Sequence, residues 1–136
     1  MSQILFVGHL YRRTQPSFPT HTNRLPKLSW FSLTPSYGSC YGPIICTYKT
    51  KKTKKLRLLN LGSMEIRRRI VKKYPELSML LDPDEQYSGG RTNKKIHKKI
   101  MKHFHNQFDG TIIREIDLSE KDRYDLEGVT EIVLWK

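Results

Sequence analysis

Apolar and polar positions alternate most closely in KLSWFSLTPSYGSCYG, which runs from Lys27 to Gly42. Leu28 and Trp30 flank Ser29, and Phe31 and Leu33 flank Ser32, the short period of a strand. Thr34-Pro35 then signals a helix start, with the hydroxyl as N-cap and proline at the first helical position. Gly42, with Pro43 beyond it, is placed to end that helix. The helix so predicted, over 35–41, sets Tyr37 and Tyr41 on one face, four residues apart. Ser32 therefore ends a strand beside a helix N-terminus and two tyrosines. That is a pocket wall suited to a polar, partly aromatic ligand.

The same reading, taken along the chain, predicts a first strand over 4–11, ending at Arg12 and Arg13. Residues 14–26 hold three prolines among Ser, Thr and Asn and read as a surface loop. Strands are expected over 43–49 and 56–61, separated by a solvated charge run over 49–55. Ser63 caps a helix reaching to about Tyr74, with Glu65 in its first turn, where the dipole favours an acid. Ile66, Ile70 and Val71 give it an apolar stripe, and Pro75 ends it before a short helical piece over 76–81. A loop over 82–91 leads to Thr92, the cap of a longer helix to Phe108 with Ile96, Ile100, Met101, Phe104 and Phe108 inward. Asp109-Gly110 turns into a strand over 111–116; a short helix or turn over 119–126 precedes a last strand over 130–135. There is no internal repeat. The order of elements does not alternate regularly, which predicts an α+β fold.

Composition sharpens this picture in one respect. The 136 residues suit a single domain, and 37% hydrophobic residues with 10% aromatics favour a packed core. The net charge of +12 is unevenly spread. Residues 49–73 carry eleven Lys or Arg against one acid, Glu65, whereas residues 109–131 carry eight acids against three bases. A basic middle and an acidic end favour phosphate-bearing partners, nucleotide or nucleic acid. Two cysteines, Cys40 and Cys46, make no disulfide framework. The opening MSQILFVGHLYRR has its bases after the apolar run, the wrong order for a secretory signal, and no apolar run approaches the roughly 20 residues of a membrane span. An intracellular, cytoplasmic location without a membrane partner is the expectation.

Three segments, LYRRT at Leu10, WFSLTPSYGSCYG at Trp30 and the closing DG with TEIVLW at Thr130, occur in an order that resembles the ADP-ribosyltransferase superfamily. More narrowly, they are similar to its small members with LYRGT-like and WFS-like segments and a DG…EIVLF close. The resemblance implies a split, mainly antiparallel sheet with flanking helices, gripping NAD in a cleft for chemistry at the nicotinamide–ribose bond. It implies that Arg12 holds a phosphate or ribose of NAD, with His9 as a competing choice on the same strand. Ser32 then orients the nicotinamide ribose and the acid, and Tyr37 or Tyr41 lines or stacks on the nicotinamide. Glu131 becomes the catalytic carboxylate that binds a ribose hydroxyl and stabilises positive charge on the sugar. Two positions depart from the pattern. Val129 stands where members that modify protein side chains usually carry Glu or Gln, and Arg13 stands where the glycine of LYRGT falls.

Other chemistry is weaker. His97, His103 and His105 lack the spacing of one ligating face, and Cys40-x5-Cys46 is not a zinc spacing, so no metal is expected. SGGRTNKK at Ser88 has a Gly pair before a helix start but lacks the Walker spacing. The rival reading is a nucleic-acid-binding protein that uses the bases of 49–73 and 91–102, or a transferase-like domain without activity serving a larger assembly. The Lys-, Ile- and Tyr-rich composition fits an AT-rich genome such as that of a large DNA virus.

Overall fold

Gly8 divides what the alternation reads as one strand. In the computed structural model, which describes residues 3–14, 28–33, 43–50, 53–81, 94–113 and 130–135, the first strand is two. Strand β1 is Gln3–Phe6 and β2 is His9–Thr14; Gly8 between them has φ 157°, a backbone that residues with a side chain rarely adopt. The remaining strands are β3 Leu28–Ser32, β4 Ile44–Lys49, β5 Leu56–Asn60, β6 Gly110–Ile113 and β7 Glu131–Trp135. Helix α1 is Met64–Lys73, a 3-10 helix follows at Pro75–Leu80, and α2 is Lys94–Phe104. Among the described residues the fold is mixed α+β, with one seven-stranded, mainly antiparallel sheet and three helices.

The strand order is β1-β5-β6-β7-β3-β2-β4, and only β5–β6 is parallel. In a flat sheet, β1 and β2 would stand five strand steps, about 24 Å, apart. The two-residue link between them reaches at most about 11 Å. The sheet must therefore curl until its ends meet. Gly8 is fastened at that meeting: its N–H donates to Thr50 Oγ1 at 2.7 Å, and its carbonyl accepts from the Thr50 N–H at 2.9 Å.

Curling gives the sheet two different faces. Leu10, Phe31, Leu58, Ile112, Ile132 and Leu134 fill one, with Tyr48 and Leu56 packed against them. The other is covered by the helices: Leu59, Val133 and Trp135 meet Ile66 and Ile70 of α1, Leu77 and Leu80 of the 3-10 helix, and Ile96, Ile100 and Phe104 of α2. Helix α1 starts where expected, because Ser63 Oγ accepts from the Ile66 N–H, and Glu65 and Lys72–Lys73 lie at the ends the dipole favours. Helix α2 stops at Phe104, four residues short of the expected end, although Phe108 still packs in the core. The Asp109-Gly110 turn is held at both residues. Arg57 donates from its backbone N–H to Asp109 Oδ2 at 2.8 Å, and a Cβ on Gly110 would sit 2.1 Å from the Val133 carbonyl. No helix of the described residues is long and apolar enough to cross a membrane.

Candidate functional site

Ser32 is the last residue of β3 and Glu131 the first of β7, and the antiparallel register makes them direct partners. Directly opposed residues have Cβ atoms about 4.5–5.5 Å apart and project from the same face. On its other side Ser32 is paired with Tyr11, the one registered pair between β2 and β3 among the described residues, and Tyr11 is paired with Thr47 of β4. Glu131, Ser32, Tyr11 and Thr47 thus form a straight row across four strands. Both strands that carry the central pair are fixed by apolar residues on both faces: Leu28 and Phe31 in β3, Ile132 through Trp135 in β7.

Ser32 is 3% exposed and Glu131 6% exposed, although their neighbours on this face are Trp30, Ile113 and Val133. A carboxylate withdrawn from water beside a hydroxyl acts on a nearby positive charge far more strongly than an exposed one does. The pair therefore has the chemistry to hold a sugar hydroxyl and to stabilise a developing cation. Glu131 lies on an interior strand, between β6 and β3, not at a sheet edge.

The residues named from sequence divide. Ser32 and Glu131 come together. His9 shares their face through the alternation of β2 but is exposed, two residues along from Tyr11. Arg12 does not share it. Strand alternation turns it to the opposite face, with its partner Cys46 and near Tyr48, so it does not converge with Ser32 and Glu131. The Tyr48 phenol registers this arrangement: burial and Cys46 push its pKa up, and Arg12 pulls it down. Tyr37 and Tyr41, with the helix expected over 35–41, lie outside the described residues, as do Thr92, Cys40 and the segment 119–126.

Among the described residues of the basic run over 49–73, not every base faces solvent unpaired. Arg67 is 1% exposed and faces inward; its Nε donates to the Leu61 carbonyl and its Nη1 to the Leu80 carbonyl. Arg57 is bound to Asp109, and Arg69 pairs with Glu65 at 2.7 Å. On α2, Lys94, Lys95, Lys98 and Lys102 are exposed and Lys99 is half-buried. Among the described residues no group of three His, Cys, Asp or Glu is arranged to hold a metal ion.

His97 was read as part of the basic helix but is buried against Trp30, ring edge to ring face at 5.6 Å. Burial lowers its pKa from 6.5 to about 3. The folded state therefore holds it neutral, while the unfolded chain protonates it below about pH 6.5. Its contribution to stability is complete above that pH and is lost progressively as pH falls toward 3. Between neutrality and about pH 5 this group alone should cost roughly 2 kcal/mol. Urea unfolding at the two pH values checks this: His97→Phe, which keeps a ring against Trp30, should narrow the gap by about that amount. An unchanged gap would refute it.

Comparison of the chain with protein-family models, with curated proteins and with solved structures found no match.

Proposed function

We propose that this chain is an ADP-ribosyltransferase-like domain that binds NAD and cleaves or transfers at the nicotinamide–ribose bond. The observation that carries the reading is the register pair of Ser32 and Glu131, a buried hydroxyl and carboxylate on adjacent strands. These are two of the residues singled out by the motif order LYRRT, WFS, TEIVLW. Among the described residues β2 and β3 share one registered pair, and a split sheet of that class would part there. In this reading Ser32 orients the nicotinamide ribose and Glu131 binds its hydroxyl and faces the sugar as the C–N bond breaks. Arg12, on the other face of β2, has no part in that step.

The missing acid at position 129 favours slow NAD hydrolysis, or transfer to an acceptor other than a protein side chain. The test is direct: nicotinamide release from NAD by the purified chain, measured alongside NAD binding. Release that depends on Glu131 is the expected outcome. Binding without release under any acceptor tried would leave a transferase-like domain without activity. Absence of both would end the reading.

A further inference from the structure

We propose that the open face of β2 and β4, beside the Ser32–Glu131 pair, is a binding platform for single-stranded nucleic acid. Three registered pairs build it: His9 with Lys49, Tyr11 with Thr47, and Arg13 with Ile45. Register and alternation set all six side chains on one side of the sheet. His9, Ile45, Thr47 and Lys49 are exposed, and Tyr11 and Arg13 are half-buried.

The chemistry of the six is specific. Two rings, His9 and Tyr11, lie two positions apart on one strand, about 7 Å along it. Cations stand at both ends, Lys49 beside His9 and Arg13 beyond Tyr11, and none of the six is acidic. Rings on a sheet face give unpaired bases a surface to stack on, and flanking cations hold the backbone phosphates. Arg13 is steadied for this by a bond from Nη1 to the Pro43 carbonyl at 3.1 Å. An apolar protein partner finds only Ile45 here. Helix α2 offers lysines, but its half-buried ring His103 is already stacked on Tyr74, so the helix attracts phosphate without gripping bases.

The platform leads somewhere. Tyr11 continues the row through Ser32 to Glu131, two strand steps, about 10 Å, away. A strand seated on the rings presents its end or a splayed nucleotide to the buried pair. Binding does not depend on the transferase reading.

Fluorescence anisotropy with a short fluorescein-labelled single-stranded oligonucleotide, without NAD, tests this. With two or three phosphate contacts, affinity should fall about tenfold between roughly 50 and 200 mM salt; six contacts along the helices would cost several hundredfold. Lys49→Glu combined with His9→Ser, both at exposed positions, should weaken binding at least tenfold, and Tyr11→Phe should retain it. Lys98→Glu with Lys102→Glu should change it less than threefold. No binding at low salt, a several-hundredfold salt effect, or loss confined to the α2 variants would overturn the proposal. Nicotinamide release, measured separately, reports on the transferase reading whichever way the oligonucleotide behaves.

Discussion

Glu131→Gln is expected to lower nicotinamide release by about 10²–10³-fold, the loss typical of removing one preorganised electrostatic contact to a transition state. Glutamine keeps the length and one oxygen acceptor of the side chain but not its charge. NAD carries the glycosidic bond intact in the bound state, so the ribose hydroxyl still finds an acceptor and affinity should change little. Positive charge builds on the sugar only as the C–N bond breaks. The missing charge therefore appears in turnover and not in binding, the sign of an interaction made mainly in the transition state. Burial adds to the effect, because Glu131 is 6% exposed and water cannot substitute for it. Equal release from both proteins would remove Glu131 from the chemistry. An equal loss of NAD binding would make it a ground-state anchor.

Arg67→Ala should destabilise the fold by about 4 kcal/mol or more, a large part of the 5–15 kcal/mol that holds a domain together. The guanidinium is 1% exposed and joins two otherwise separate pieces of chain: the Leu61 carbonyl, just past β5, and the Leu80 carbonyl at the end of the 3-10 helix. Alanine leaves both carbonyls without this donor, at roughly 1–3 kcal/mol each, and opens a cavity the length of the side chain. Arg67→Met restores the stem but not the bonds and should recover the cavity share only. Urea unfolding of the three proteins measures this. A loss below about 1 kcal/mol for alanine would show that the carbonyls find other donors readily.

Much of this framework could be read from the chain. Strands β3 and β7 were legible because Leu28, Phe31 and Ile132–Leu134 make short apolar runs between polar breaks, and α1 because Ser63, Glu65 and Pro75 mark its ends. The break at Gly8 was not, since the apolar and aromatic run of residues 4–11 continues on both sides of it. Only the absence of a side chain marks that position. Arg67 was counted only among the bases of 49–73 and His97 weighed only as a metal ligand, and neither was placed in the core. Yet each follows a core isoleucine and precedes another by three residues, Ile66-Arg67 before Ile70 and Ile96-His97 before Ile100. Both therefore fall on the buried stripe, a spacing that outweighs residue type. The Ser32–Glu131 pairing depends on strand order, which no local pattern encodes. Tyr11 was missed for the same reason, and Arg12 was favoured because motif identity says nothing about which way a strand faces.

The pairing of β3 with β7 has a consequence for how the protein is made. Leu28 opposite Trp135 and Ser32 opposite Glu131 join residues separated by most of the chain. Strand β6 also depends on β7 for its second neighbour, so the middle of the sheet stays open until β7 has been synthesised. Contacts this distant in sequence are slow to form, because the entropy of closing the loop is lost before the contacts compensate. A nascent chain thus holds Ser32 without its carboxylate partner until Glu131 has been synthesised and β7 has paired. The chemistry proposed for this protein can begin only once β7 is in place, and a product that stops short of Glu131 lacks both the β3–β7 and β6–β7 pairings and the proposed carboxylate.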